Sequence, residues 1–294
     1  MLHPVARIAI IGGGSIGEAL LAGLIRAGRQ AKDLAVSEKD PGRAKYLSET
    51  YSVLLTSPSD AAENAAYVIV AVKPADVESV VAEIAEAVAQ ADNDSDEQVI
   101  VSVAAGVSTA FYESKLPAGA PVIRVMPNAP MVVGGGVSAL SRGSFATVEQ
   151  LKDVSAIFAA VGGVLAVPES QLDAVTAVSG SGPAYFFLMA EALVDAGVAA
   201  GLSRQVATEL VSQTMAGSAA MLLDRLDDQP SGGDAAKGVG MDTSPAQLRA
   251  TVTSPGGTTA AGLRELERGG LRTAVTEAVF AAKTRSEQLG ITSE

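Results

Sequence analysis

The run Gly12-Gly13-Gly14-Ser15-Ile16-Gly17 carries the G-x-G-x-x-G spacing at Gly12, Gly14 and Gly17. It follows an apolar run and opens a helical pattern, the context in which such a loop binds the pyrophosphate of a dinucleotide. Gly12 makes the tight turn, Gly14 lets the backbone approach the phosphates, and Gly17 lets helix and strand pack closely. The N–H groups and dipole of the helix start, at Ser15 and Ile16, favour the negative charge. A tight turn without a ligand and the glycine loop of a methyltransferase are the alternatives. About 20 residues further on, where a ribose-binding residue is expected, stand Ser37-Glu38-Lys39. Glu38 suits the hydroxyls of an NADH ribose, whereas Ser37 and Lys39 suit the 2′-phosphate of NADPH, and the residue types allow both. Ala71-Val72-Lys73-Pro74 closes another strand. Ligands of open α/β sheets sit beyond the carboxyl ends of strands, so Lys73 is placed to face the cofactor; a solvated strand-end lysine is the alternative. Ser102-Val103-Ala104-Ala105-Gly106 ends a further strand with small residues that leave room for a flat ring.

Two runs in the second half could hold a substrate. Ser179-Gly180-Ser181-Gly182-Pro183-Ala184-Tyr185 is a flexible entry to a helix. Val252-Thr253-Ser254-Pro255-Gly256-Gly257-Thr258-Thr259 offers glycine backbone, hydroxyls and a helix N-terminus within eight residues, a combination suited to a carboxylate. Ordinary capping and turn chemistry is the alternative for both. The only histidine is His3, in the N-terminal tail, and no cluster of metal ligands is visible. A 2-hydroxy-acid dehydrogenase needs a His or Lys to move the alcohol proton. Reduction of an already protonated imine asks less of the protein, because the nitrogen arrives with its proton.

These residues need a sheet and helices to place them. The strands expected are Val5–Ile11, Leu34–Ser37, Tyr67–Val72, Val99–Val103 and Val122–Met126. Between them fall helices at Ile16–Ala27, Gly42–Glu49, Val77–Ala89 and Thr109–Ser114. Continuous apolar strands alternating with helices predict a parallel sheet covered on both faces. Asp40-Pro41 reads as an N-cap followed by Pro at the first helical position, and Thr147 with Gln150 as a capping box. Ala91–Gln98 is an acidic surface loop, and Gln229–Thr243 a Gly, Asp and Ser-rich one. After Pro168 strand patterns stop, and Ala-rich helices follow at Pro183–Ala200, Arg204–Leu226, Thr258–Arg268 and Leu271–Leu289. The stretch from Tyr185 to Gly197 is apolar on nearly every face, so it must be buried all round. A small helical domain hardly encloses it alone, which implies that another subunit covers it.

Composition bounds the rest. The 294 residues are 48% hydrophobic and 18% charged, which excludes disorder of the whole chain. A net charge of -12 without a Lys/Arg cluster disfavours nucleic acid and anionic membrane surfaces. The absence of cysteine removes disulfides, thiolate catalysis and Cys-bound metal. Met1 to Ile11 is too short an apolar run for a signal peptide, and no uncharged run of membrane-spanning length stands out, so a cytoplasmic protein is expected.

The glycine loop, Ala71–Pro74, Arg124-Val125-Met126-Pro127-Asn128-Ala129-Pro130, the Ser179–Phe187 run and the Val252–Thr259 run occur in order over nearly the whole chain, and together they resemble pyrroline-5-carboxylate reductase. The resemblance implies a Rossmann-type α/β dinucleotide-binding domain (residues 1–168) followed by an all-α substrate-binding and dimerisation domain (residues 169–294). It implies reduction of 1-pyrroline-5-carboxylate to L-proline by direct hydride transfer, usually with NADPH preferred over NADH. Homodimers through the C-terminal helices, often gathered as decamers of five dimers, are implied as well. Carried over by motif position, Thr259 hydrogen-bonds the ring nitrogen, and Ser254, Gly257 and Thr258 cradle the carboxylate. Members often have Asn-Met where this chain has Ser15-Ile16. A β-hydroxyacid dehydrogenase is the nearest rival; it needs a catalytic lysine in the helical half, where only Lys237 and Lys283 stand. A non-catalytic nucleotide-binding protein is another.

Overall fold

The computed structural model describes residues 6–63, 65–90, 98–227 and 244–290. His3, Val5, Lys237, the Gln229–Thr243 loop and residues 91–97 of the acidic loop lie outside them. Two compact units divide the chain, one of residues 1–183 with 279–294, the other Ala184–Ala278.

The first unit is built on an eight-stranded sheet. Its elements begin as β1 (Ile8–Ile11), α1 (Ser15–Arg26), β2 (Leu34–Ser37), α2 (Pro41–Tyr51), β3 (Leu54–Leu55), α3 (Pro58–Glu63), β4 (Tyr67–Val70) and α4 (Val77–Gln90). They continue as β5 (Val99–Ser102), α5 (Thr109–Lys115), β6 (Val122–Met126), β7 (Gly136–Arg142), α6 (Val148–Phe158), β8 (Gly162–Ala166) and α7 (Leu172–Val175). The strand order is β3-β2-β1-β4-β5-β6-β7-β8. All pairings are parallel except β6 with β7, which turns the last two strands against the rest. The five expected strands are present: Leu34–Ser37 and Val122–Met126 with the expected bounds, the other three shortened at one end where the apolar run outlasts the pairing. The reversed β7, the edge strand β8 and the two-residue β3 were not expected from the sequence.

Alternation along each strand divides the core. Ile8 and Ile10 of β1 face one side, with Leu20 and Leu24 of α1, Ile69, Val101 and Phe158. Ala9 and Ile11 face the other, with Val81 and Ile84 of α4, Val70, Phe111 and Tyr112. Full burial on both faces is why these strands read as unbroken apolar runs, and each large side chain so buried contributes roughly 1.5–3 kcal/mol. The caps read from sequence form. Asp40 accepts from the Arg43 N–H at 2.7 Å, and Thr147 with Gln150 makes a reciprocal capping box. Gln98, expected on a surface loop, is buried instead; its Nε2 donates to the Ala62 and Ala65 carbonyls at 2.8 and 2.6 Å.

The second unit is helical. It holds most of α8 (Gly182–Ala199), with α9 (Arg204–Asp227), α10 (Ser244–Thr251), α11 (Thr258–Arg268) and the first part of α12 (Leu271–Leu289). Close approach of α8 and α9 uses small residues: a Cβ on Gly197 would lie 3.2 Å from that of Ala207. Asp195 and Arg204 pair across the same junction at 2.9 Å. Much of the apolar surface stays uncovered within one chain. On α8, Phe186, Phe187 and Leu188 are 65%, 69% and 67% exposed. The all-round burial expected for this helix is therefore not supplied by the described residues of one chain.

Candidate functional site

The sheet reverses direction of growth at β1, which pairs with β2 on one side and β4 on the other. Ligands of open α/β sheets bind outside the strand ends at such a point. The chain stitches the loop there to both neighbours: the Gly12 N–H donates to Ser37 O at 2.8 Å, and the Ala71 N–H donates to Ile11 O at 2.7 Å. Gly12 has φ +105°, and a Cβ on it would stand 2.6 Å from Ala71 O. Gly17 faces back into the turn, where a Cβ would stand 2.0 Å from Gly12 O. Gly14 differs: nothing lies within 4 Å of its Cβ position. It is the N-cap of α1, with no side chain bonded to the helix start. The first N–H groups of a helix have no partner within it, so an anion arriving over Gly14 meets donors and no obstruction. The residues fit a pyrophosphate on this observation alone.

A cavity of about 1340 Å³ opens beside this loop. Gly12, Gly14, Ser15, Ser37, Lys39, Ala71, Val72 and Lys73 line it, so most of the residues expected around a cofactor converge. Ile16, Gly17, Pro74 and Ala104 do not line it. Gly17 is buried under the turn, and Ala104 is buried at the end of β5. There the Ser102 hydroxyl bonds the Tyr112 hydroxyl at 2.7 Å and accepts from the Ala104 N–H at 3.3 Å. Burial pushes the Tyr112 hydroxyl up to about 12, against the opposing hydrogen bond with Ser102, so this pair serves as a neutral brace. Lys73 is exposed at the rim.

The ribose end of the cavity is dominated by Glu38, one of the two alternatives the sequence left open there. Glu38 Oε2 accepts from the Gly13 N–H at 2.8 Å, and Oε1 from the Asp40 N–H at 2.8 Å. Ser37 is buried, and Lys39 points outward to Asp76 at 3.0 Å. Arg43 joins the network through Nε to Gly13 O at 2.8 Å and through its terminal nitrogen to the Glu18 carboxylate. Burial pushes Glu18 up, but hydrogen bonds from Tyr51, Arg43 and Tyr46 outweigh it and hold the carboxyl below its ordinary range. Burial and the Glu18 carboxylate in turn push the Tyr51 hydroxyl up to about 12. The position of Arg43, three residues after an Asp N-cap, was the only sequence signal for its place here.

A second junction was also missed. Asn128 Oδ1 accepts from the Val137 N–H at 2.8 Å, and its Nδ2 donates to Ser179 O at 3.2 Å. Ser179 lies in a π-helical turn, Thr176–Gly180, just before α8. The Arg124–Pro130 and Ser179–Phe187 motifs therefore meet through one buried amide.

In the second unit the Ser254-Pro255-Gly256-Gly257 segment closes a turn, with the Gly257 N–H donating to Ser254 O at 3.0 Å and Gly256 at φ +70°. Pro at the second position and a positive-φ glycine at the third are what a type II turn requires. Gly257 then caps α11 without any side-chain bond, leaving the hydroxyls of Thr258 and Thr259 in its first turn. Ser254, Thr258 and Thr259 are exposed. The arrangement presents hydroxyl and N–H donors together, as binding a carboxylate requires. Lys283, the described lysine of the helical half, is engaged by Glu287 one turn along α12.

A family description of pyrroline-5-carboxylate reductase dimerisation matches residues 169–289, and one of NADP oxidoreductase, coenzyme F420-dependent, matches residues 7–106. The chain is 68% identical over 295 residues to the pyrroline-5-carboxylate reductase of Mycobacterium tuberculosis, covering 100% of both. Among solved structures, a pyrroline-5-carboxylate reductase from Coxiella burnetii matches with a TM-score of 0.85 at 32% identity, over 98% of this chain and 100% of that one. A Plasmodium falciparum pyrroline carboxylate reductase with NADP bound matches with a TM-score of 0.79 at 29% identity, over 97% and 98%.

Proposed function

The chain belongs to the pyrroline-5-carboxylate reductase family, and from that premise we propose which of its residues carry the reaction. It is an oxidoreductase of proline biosynthesis that reduces 1-pyrroline-5-carboxylate to L-proline with NAD(P)H, and it works as an oligomer. The bound cofactor supplies a hydride to the imine carbon, and the ring nitrogen keeps the proton it carries. Gly12, Gly14 and Ser15 receive the pyrophosphate, with Ile16 and Gly17 shaping the helix start behind them. Ser37 and Lys39 flank the ribose, while Ala71, Val72, Lys73, Pro74 and Ala104 border the nicotinamide half. Ser254, Gly257 and Thr258 hold the substrate carboxylate, and Thr259 orients the ring nitrogen. Holding both reactants in register supplies most of the acceleration in such a reaction. The observation that carries this reading is the turn from Ser254 to Gly257, which puts three hydroxyls at an uncapped helix start.

The proposed boundary falls at residues 168 and 169, supported by the matched ranges 7–106 and 169–289. The dimer forms through the C-terminal helices, with five dimers in a decamer. By length and composition the helical stretch Glu169–Ala199, 31 residues with mean hydropathy 1.2, is apolar enough to cross a membrane. A partner subunit suits it better, because Asp173 accepts from Ser286 at 2.6 Å and Asp195 pairs with Arg204. These contacts support the reading of a soluble protein, and cytoplasmic localisation is proposed with it.

Two substitutions test the site. Ser254→Ala should raise KM for the substrate several-fold with turnover nearly kept. Thr259→Val should lower turnover by about tenfold to a hundredfold with cofactor affinity kept, since it removes an interaction with the reacting ring. Wild-type kinetics in Thr259→Val would remove that residue from the mechanism.

A further inference from the structure

Resting on the reading of this chain as an NAD(P)H-dependent reductase, we infer that Glu38 makes the ribose end of the cavity select NADH over NADPH. This runs against the NADPH preference that the family resemblance implies.

The carboxylate is fixed from behind. Its two oxygens accept one backbone N–H each, from Gly13 and Asp40, both at 2.8 Å. A carboxylate oxygen offers two acceptor sites, so one remains on each. Two acceptors side by side match the vicinal 2′- and 3′-hydroxyls of an unphosphorylated ribose, which bring only donors to such a group. The fixed position comes with the glycine loop itself, so the acceptors need no reorganisation when the cofactor arrives.

A 2′-phosphate would bring the opposite chemistry. It adds a charge near −2 and only acceptor oxygens at neutral pH, and it would need donors and positive charge. Several donors nearby are engaged. The Gly13 and Asp40 N–H groups face Glu38, and the Arg43 N–H faces Asp40 Oδ1 at 2.7 Å. Arg43 uses its side chain on Gly13 O and Glu18, and Lys39 is paired with Asp76 at 3.0 Å. Thr56, also on the lining, donates to Asp60 at 3.0 Å. The network around Glu38 thus sets the carboxylates of Glu18, Glu38, Asp40 and Asp76 against two cations, Lys39 and Arg43. A phosphate entering it meets excess negative charge, and like charges brought together disfavour the wrong ligand by repulsion rather than by lost contact.

Calorimetric titration of the purified full chain with NADH and with NADPH tests the inference without turnover. Wild type should bind NADH at least about tenfold tighter. Glu38→Gln keeps an acceptor for the Gly13 N–H and removes the charge, and should narrow the ratio by about tenfold, mainly through tighter NADPH. Glu38→Ser, which also clears space, should bring the ratio to parity or beyond. Because each ratio is taken within one protein, a general loosening of the loop affects both cofactors alike. NADPH bound as tightly as NADH by wild type, or an unchanged ratio in Glu38→Gln, overturns the inference and leaves the reductase reading standing. Binding of neither cofactor overturns both.

Discussion

Gly14 and Gly17 belong to one motif, yet replacing each by alanine should injure the protein in different ways. In Gly17→Ala the new methyl carbon would stand 2.0 Å from Gly12 O and 3.3 Å from Ile10 Cγ2. The nearer atom is backbone held between two strands, so no side chain can swing away. Overpacking of this kind costs about 1–3 kcal/mol, and the upper end applies here. Alanine in a helix recovers up to about 1 kcal/mol over glycine, leaving a net loss of about 2 kcal/mol. That is roughly a 30-fold fall in the folding equilibrium constant. In Gly14→Ala the backbone, φ −65° and ψ −171°, suits any residue, and nothing lies within 4 Å of the methyl. Stability should stay within about 0.5 kcal/mol of wild type. The methyl occupies the approach to the phosphates, so NADH and NADPH should both weaken by about tenfold or more, about 1.4 kcal/mol. Urea denaturation at fixed protein concentration reads the first effect, and titration calorimetry the second. Wild-type cofactor affinity in Gly14→Ala would show that the phosphates do not approach over Gly14, and a wild-type urea midpoint in Gly17→Ala that the turn can yield to a methyl group.

Two further perturbations reach other parts of the chain. Phe187 is 69% exposed on α8, so Phe187→Asp should leave the fold of one chain intact and dissociate the oligomer; light scattering that finds the wild-type mass would place the interface elsewhere. Glu18 has its folded pKa held below the ordinary 4.5 by Tyr51, Arg43 and Tyr46 against the upward push of burial. A depressed carboxyl contributes stability above its unfolded pKa and loses it as pH falls through the folded value. Glu18→Gln should therefore be less stable than wild type near pH 7, with the gap closing below about pH 4.5; a gap that is constant with pH would sink the assignment.

The central sheet was legible because burial on both faces leaves unbroken β-branched runs, and Leu34–Ser37 and Val122–Met126 match their strands end to end. Helices α11 and α12 were equally plain, since a glycine loop precedes one and Gly269-Gly270 separates them. Strand β8 was not legible: it is a half-exposed edge beginning Gly162-Gly163, with no alternating or β-branched run to mark it. At the ribose end, three consecutive residues offered rival chemistries. Local sequence could not say that Ser37 is buried while Glu38 meets the Gly13 N–H, because that contact spans 25 residues and depends on strand pairing. Asn128 escaped for the same reason, its two partners lying on β7 and in the turn before α8. The stretch Tyr185–Gly197 was legible as needing cover, but a helix apolar on all sides gives no periodicity from which to choose a face.

The most direct measurement is cofactor oxidation by the purified full chain with 1-pyrroline-5-carboxylate, NADH and NADPH run side by side, with proline quantified at the end. Stoichiometric proline formation is expected, with faster turnover at low cofactor concentration with NADH. Folded protein that binds a cofactor yet forms no proline with either would contradict the reductase reading.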